Sequence, residues 1–250
     1  MTSARRAAPL QVVLADGETV YEPFDTVGGR YLVFSASSLS GTLPQLLRAE
    51  IIEVHRPRYG ARFACSDPKL QRIVDVSLRT VDLSAVDAYL DCPTREQRAW
   101  TGDSVVHQSV DPQPFFRALV HDAVAALGGD LLPLYREWTR LLDSGPTAMR
   151  ECWEGGSYCH GWSATVARDV VVHTLGVTPA APGYAAVRIA PHVEDLEWAD
   201  TLIPTPHGDI EVRVEQDLLI VRTPVPSSVE WGGDRKALPP GLHRLERTLR

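Results

Sequence analysis

The sequence lacks the features that mark several protein classes. Only four of its 250 residues are cysteine, and no two of them form a C-x-x-C pair, so neither a disulfide framework nor a zinc knuckle is indicated. No apolar run approaches the roughly 20 residues that span a bilayer, and the first residues contain no apolar segment typical of a secretory signal. We therefore expect no membrane interaction and a cytoplasmic location.

An excess of positive charge is also lacking. The net charge is −7 and the isoelectric point is about 5.6, which disfavours nucleic-acid binding. The composition, 44% hydrophobic and 23% charged, is close to the globular average and argues against disorder, collagen-like repeats and coiled coil. We expect a globular chain of one or two domains from its length alone.

Short β-like runs separated by turn residues occupy residues 1–62. Asp16-Gly17 is a hairpin-type signal, and Gly28-Gly29 interrupts the next run. The runs predict an antiparallel, partial β-sandwich module with strands near 11–14, 19–21, 31–34 and 49–55.

Residues 63–176 have the apolar spacing of helices and predict a truncated helical domain. Ser66, Asp67 and Pro68 mark a helix start, with a capping hydroxyl, an acid in the first turn, and a proline where the missing N–H does no harm. Asp130 is a candidate cap for a later helix. The predicted helices are 70–81, 115–127, 131–142 and about 163–175, with Gly176 just beyond the last.

Residues 177–250 return to β signals. Proline and glycine separate runs that alternate with period two, as strands with one solvated face do. The runs at 186–189, 209–214 and 218–223 predict a C-terminal β-sandwich domain. The fold class expected for the whole chain is α+β and multidomain.

Residues 91–103 form the densest group of reactive side chains. Three acids, two arginines and a tryptophan lie within thirteen residues, and Pro93 and Gly102 indicate a structured loop. Carboxylates and arginines bind hydroxyl groups, and a tryptophan face stacks on a sugar ring, so this composition favours a carbohydrate site. The alternative is a solvated loop with ordinary ion pairs.

A second group, at residues 150–162, contains two acids, two tryptophans, a tyrosine, a histidine and three glycines. It can line a pocket, or it is an amphipathic loop with Trp153 and Trp162 in the core. Together the two groups offer carboxylates on separate elements. Glycoside hydrolysis uses such a pair, one to protonate the leaving oxygen and one to attack the sugar or activate a water.

The sequence DCPTREQRAWTGD at 91–103 resembles the signature of bacterial α-L-rhamnosidases of glycoside hydrolase family 78. That signature reads D-C-P-x-R-E-x-x-x-W-x-G-D, and every named position matches. Weaker similarities at 21–31, 63–70, 146–153 and 160–162, and in the C-terminal β region, extend the resemblance over most of the chain. It implies an (α/α)6-barrel-like catalytic domain between two β regions, and hydrolysis of terminal α-L-rhamnose from rhamnosides.

The resemblance also implies roles for individual residues. Glu96 matches the general acid, and Glu151 matches the base that activates the hydrolytic water, which makes the reaction inverting. Glu154 is expected to be a solvated acid, and Cys92 and Cys159 are expected to pack rather than react. The residues implied as substrate-binding are Asp91, Arg95, Trp100, Asp103, Trp153 and His160.

No cofactor and no metal site are expected. The eight histidines include no H-x-x-x-H or H-E-x-x-H spacing, which disfavours a metalloenzyme. One tryptophan common in the family, just before the base, is Arg150 here.

The chain is short for this family. Only 54 residues, 97–150, separate Glu96 from Glu151, which leaves room for about two helices where the family places most of its barrel. Residues 110–114 are the candidate position of a deletion. A truncated barrel exposes inner helix faces, through which copies of the chain can associate. The alternative function is therefore a catalytically impaired relative that binds carbohydrate or has a structural role.

Overall fold

The C-terminal part of the chain forms two β-sheets. The computed structural model describes residues 11–23, 28–29, 31–38, 41–54, 60–85, 90–93 and 117–247. The nine strands among them are β1 Arg62–Cys65, β2 Val177–Pro179, β3 Val187–Ile189, β4 Trp198–Thr205, β5 Gly208–Glu215, β6 Leu218–Thr223, β7 Ser227–Trp231, β8 Asp234–Leu238 and β9 Gly241–Glu246. The sheet orders are β1-β4-β5-β6-β9 and β2-β3-β7-β8. The predicted strands at 186–189, 209–214 and 218–223 are confirmed within one or two residues.

The first strand belongs to the sheet of the C-terminal region, although it lies more than a hundred residues earlier in the chain. β1 pairs antiparallel with β4, with Phe63 opposite Thr201 and Cys65 opposite Ala199. Phe63 and Cys65 are buried in the core, while the alternate residues face outward. The helical region is therefore joined to the β region through β1.

The longest helix, α1 (Pro68–Leu83), begins where the sequence predicts. Its cap is Asp67, whose carboxylate accepts hydrogen bonds from the amides of Lys69 and Leu70 at 2.9 and 3.1 Å. The expectation that Ser66 is the cap is wrong. The Ser66 hydroxyl instead accepts from the amide of Glu197 at 3.0 Å, next to the start of β4.

The other helices in the described part of the chain are short. They are α2 Arg117–Ala126, α3 Leu132–Arg136, α4 Thr139–Leu142 and α5 Val166–Asp169. The predicted helix at 131–142 is divided into α3 and α4, and the one at 163–175 is divided into a 3₁₀ turn, α5 and a π-helical turn. The Asp130 carboxylate accepts from the amide of Leu132 at 2.9 Å, but the cap position of α3 is Leu131, so the prediction of Asp130 as the cap is off by one residue.

Helices and sheets share one hydrophobic core. The core residues come from α1, α3, both sheets and the connections between them, and they include Leu70, Ile73, Tyr135, Trp138, Ile189, Val212, Leu219 and Val229. The predicted α+β class is confirmed. None of the described helices is long and apolar enough to cross a membrane. The domain boundaries at 62 and 176 stay predictions.

The predicted N-terminal strands are wrong for the residues that the structure describes between 11 and 54. These residues form neither helix nor strand, and nearly all are exposed. Val13, Val20, Val33 and Ile51 are each more than four-fifths exposed. A stable strand needs a paired strand to bind its backbone N–H and C=O groups, and a second layer of structure to bury its apolar side chains. Within the described part of the chain, no second layer buries the four side chains named above. Position 55 of the last predicted strand lies outside the described residues.

Candidate functional site

The start of the 91–103 motif lies against the second group of reactive residues. The amide of Gly161 donates to the carbonyl oxygen of Asp91 at 2.9 Å. Asp91 is 5% exposed and His160 is 7% exposed. Two predicted substrate-binding residues, 69 positions apart in the sequence, are thus placed next to each other by a backbone hydrogen bond.

The segment 149–160 folds back on itself and is anchored on α1. The amide of His160 donates to the carbonyl of Met149 at 2.9 Å, and the amide of Met149 donates to the Thr80 hydroxyl at 2.7 Å. Thr80 is fully buried on α1 and donates in turn to the carbonyl of Val76 at 2.7 Å. Helix α1 therefore sets the position of both ends of this segment.

Glu151, the predicted base, is held at three points of its own turn. Its amide donates to the carbonyl of Ser157 at 2.9 Å, and the amide of Ser157 donates back to the Glu151 carboxylate (Oε2) at 2.8 Å. Its carbonyl accepts from the Ser163 hydroxyl at 3.4 Å. Gly156 has φ +70°, and a Cβ there would lie 2.8 Å from the Glu151 Cβ, so the turn needs glycine at this position. The backbone thereby orients the carboxylate.

Trp153 lies in the same turn and is enclosed by protein groups. Its ring meets that of Trp138 in a T-shaped contact, with 5.4 Å between centroids. The guanidinium carbons of Arg140 and Arg117 lie over the ring at 4.9 and 5.5 Å from its centroid. Arg117 also pairs with Glu137 at 2.6 Å. The sequence analysis missed both arginines, because cation–π contacts have no characteristic spacing along the chain.

The structure describes half of the predicted site residues. It brings Asp91 and His160 side by side, and it places Glu151 and Trp153 in the turn that leads to His160. The other four lie outside the described residues: Arg95, Glu96, Trp100 and Asp103. The distance between the two predicted catalytic carboxylates therefore stays a prediction.

Two of the cysteines near the site, Cys92 and Cys159, are buried. Burial raises the pKa of the Cys159 thiol to about 11, and its sulfur lies 3.8 Å from the Ser84 hydroxyl. A thiol with a raised pKa is a poor nucleophile near neutral pH. Cys92 is fully buried next to Asp91. These environments agree with the expectation that both residues pack.

A second polar cluster joins α2 to α5 and the π-helical turn. His121 and Asp169 form a fully buried pair at 2.7 Å, and oxygen and nitrogen atoms of Asp122, Asp169 and His173 lie within 4.8 Å of one another. Arg168 contacts both carboxylates, at 3.0 Å to Asp122 and 2.7 Å to Asp169. Its guanidinium already supplies the positive charge that a metal ion would bring between them.

The electrostatics of this cluster favour charged, paired groups. Partial burial alone would raise the pKa of Asp122, but its hydrogen bonds with Arg168 and His173 outweigh burial and lower it. The pKa of Arg168 is raised, because its bonds to Asp122 and Asp169 outweigh desolvation. We interpret the cluster as a clamp between helices.

An open cleft of about 710 Å³ lies elsewhere, at one end of the five-stranded sheet. Its lining includes Trp198, Arg213 and Glu215, and none of its residues is a predicted site residue. Arg213 covers the Trp198 ring at 4.9 Å and pairs with Asp200 at 3.0 Å. The charged groups of Arg213 and Asp200 therefore pair with each other. The described residues that the sequence predicts for catalysis and sugar binding do not line this cleft; they lie around Asp91 and Glu151.

Comparison with known proteins finds similarity in two segments. Residues 58–116 match the family described as the bacterial alpha-L-rhamnosidase 6 hairpin glycosidase domain, and residues 176–231 match the bacterial alpha-L-rhamnosidase C-terminal domain. No curated protein matches the chain.

Among solved structures, the chain is similar to α-L-rhamnosidases over part of their length. The enzyme from Aspergillus terreus is 18% identical with a TM-score of 0.44, over 54% of this chain and 20% of that one. The enzyme from Dictyoglumus thermophilum is 17% identical with a TM-score of 0.42, over 58% and 21%. The Streptomyces avermitilis enzyme, complexed with L-rhamnose, is 18% identical with a TM-score of 0.35, over 44% and 14%.

The chain thus spans about a fifth of the length of the first two of these proteins. The two family matches lie in the order, and at the positions, that the resemblance of residues 91–103 and of the C-terminal β region predicts. The resemblance is therefore confirmed for these two segments, which are similar to the six-hairpin glycosidase domain and to the C-terminal domain of bacterial α-L-rhamnosidases.

Proposed function

We propose that the chain is a glycoside hydrolase that removes terminal non-reducing α-L-rhamnose from rhamnosides with inversion. The observation that supports this most is the hydrogen bond between Gly161 and Asp91, which brings the start of the 91–103 motif to the turn that holds Glu151. The substrate class is taken from the family to which both matched segments belong.

In the proposed mechanism, Glu96 is the general acid and protonates the glycosidic oxygen as the bond to the aglycone breaks. The Glu151 carboxylate removes a proton from a water that attacks the anomeric carbon from the opposite face. The amide of Ser157 keeps this carboxylate oriented. Asp91, Arg95, Asp103 and His160 would bind the hydroxyl groups of the sugar. Trp100 would contact its ring, and Trp153 would form a wall of the pocket.

The position of Glu96 is bounded by the chain. Five residues after Asp91, its Cα lies at most about 18 Å from the Asp91 Cα. Inversion needs the two carboxyl groups about 6.5–9.5 Å apart, with room for a water between them. We expect that separation between Glu96 and Glu151.

The test is hydrolysis of an aryl α-L-rhamnoside by the wild type and by Glu96→Gln, Glu151→Gln and Glu154→Gln. Each of the first two variants should lose at least about 100-fold in kcat, because a general acid or base contributes about 10²–10⁴-fold. Glu154→Gln is the matched control, since Glu154 is an exposed acid of the same turn. Proton NMR of the first-formed sugar should show the inverted anomer. Rates that do not respond to either Glu96→Gln or Glu151→Gln would remove the assignment, and a retained anomer would remove the mechanism.

Carbohydrate binding without hydrolysis is the second candidate. It is favoured by the helical region, in which only α1 and α2 of the described helices reach ten residues. It predicts that L-rhamnose raises the melting temperature of the wild type, that His160→Ala abolishes this effect, and that no aryl rhamnoside is cleaved.

A further inference from the structure

We propose that Trp153 is a positioning residue for Glu151, held in place by a tryptophan clamp made of Trp138, Arg117 and Arg140. This inference rests on the proposed function and deepens it. Trp153 stands two residues after Glu151 in the turn that closes at Ser157. A ring fixed at this point restricts the whole turn.

Three separate elements hold the ring. Arg117 is the first residue of α2, Trp138 lies between α3 and α4, and Arg140 belongs to α4. Arg117 is itself fixed by Glu137, and Trp138 is fully buried. Attraction between a guanidinium group and the face of an indole ring orients both groups, and an edge-to-face contact with a buried ring adds direction.

The clamp also reaches Glu151 by a second path. The indole nitrogen of Trp138 donates to the carbonyl of Ser163 at 2.9 Å, and the Ser163 hydroxyl donates to the carbonyl of Glu151 at 3.4 Å. The side of the turn that carries Glu151 and the side that carries Trp153 are therefore both tied to Trp138. With two guanidinium groups over it, the Trp153 ring is engaged by protein groups, which favours this role over stacking on the sugar.

The experiment uses the full chain labelled with ¹⁵N-serine and follows the Ser157 amide signal with pH. This amide donates to the Glu151 carboxylate, so its chemical shift should change as Glu151 ionises, and Glu151→Gln should abolish the change. Arg140→Gln and Trp153→Leu should reduce the amplitude of the change, and Trp153→Phe should restore most of it, because an aromatic face is kept. Arg188→Gln is the matched control, since Arg188 is an exposed arginine that pairs with Glu230 within the four-stranded sheet, on a different element from the tryptophan clamp.

Kinetics give the second measurement. Arg140→Gln and Trp153→Leu should lower kcat by roughly 10- to 100-fold with little change in KM, because small displacements of a catalytic group such as Glu151 cost this much. If the wild type does not hydrolyse aryl rhamnosides, the proposed function fails, while the Ser157 titration still decides the positioning role. An unchanged Ser157 titration in folded Arg140→Gln protein overturns the inference, whether or not Trp153→Leu folds.

Discussion

Replacing Gly176 with alanine should destabilise the protein more than replacing any glycine in open space. Gly176 ends the helical region and precedes β2, and its φ is +64°. A Cβ at this position would lie 2.0 Å from the carbonyl oxygen of Ala190 and 2.3 Å from its carbonyl carbon. Both atoms belong to backbone, so no side chain can move aside to make room.

The expected cost has two parts. An L side chain in the left-handed region costs about 1–2 kcal/mol. Relieving the overlap requires a backbone shift in a packed region, which costs about 1–3 kcal/mol more. The hydrogen bond from the Ala190 amide to the Gly176 carbonyl, 3.1 Å long, would be strained by the same shift. The free energy of unfolding should fall by about 2–5 kcal/mol, and the melting temperature by about 4–20 °C for a chain of this length.

Gly183→Ala is the matched control for this prediction. Gly183 has φ +63°, nearly the same as Gly176, but a Cβ there would meet no atom within 4 Å. This variant should therefore lose only the conformational part, about 1–2 kcal/mol. Urea unfolding followed by circular dichroism measures both variants against the wild type. If the two variants lose the same free energy, the overlap with Ala190 contributes nothing, and the reasoning is refuted.

Two further predictions concern charged groups. Burial alone would raise the pKa of Asp67, but hydrogen bonds from Arg136 and from the first turn of α1 outweigh it and lower the pKa below its usual 3.8. Its carboxylate therefore stabilises the fold above pH 3.8, and this contribution is lost as the pH falls through the lowered value. Asp67→Asn should cost about 1 kcal/mol near neutral pH and progressively less in acid, as measured by urea unfolding. Asp169→Asn should cost about 1–3 kcal/mol, because it removes the carboxylate charge from the contacts with buried His121 and with Arg168. Asp122→Asn, in which the carboxylate is half-exposed and shares Arg168, should cost less than about 1 kcal/mol by the same measurement; equal losses would argue against the buried pair.

The elements that the sequence predicts well are those whose signals are local. Pro68 with an acid before it marks the start of α1, and period-two alternation marks β5 and β6, because neighbours within a few residues decide these features. The pairing of β1 with β4 joins residues more than 130 positions apart, and no local pattern contains it. The N-terminal runs have the composition of strands but form no strand among the described residues, so composition alone was misleading there.

The candidate site divides in the same way. The resemblance of residues 91–103 predicts the site residues, and the family matches support the resemblance itself. The contact of Asp91 with Gly161, and the arginines over Trp153, depend on how distant segments pack. Such contacts follow from three-dimensional structure and are outside the reach of spacing arguments.

The five-stranded sheet is part of the scaffold of the candidate site, even though none of the site residues that the structure describes lies on it. Ser66 ties the start of α1 to the beginning of β4, and Arg136 bridges Asp67 and Asp195 on the same side. In the fourth and last turn of α1, the Thr80 hydroxyl accepts from the amide of Met149, and the Met149 carbonyl accepts from the amide of His160. This continuous series of contacts runs from the sheet through one helix to the turn that carries Glu151. Helix α1 and this sheet therefore link the turn to the shared hydrophobic core, whose close packing limits how far the turn can shift.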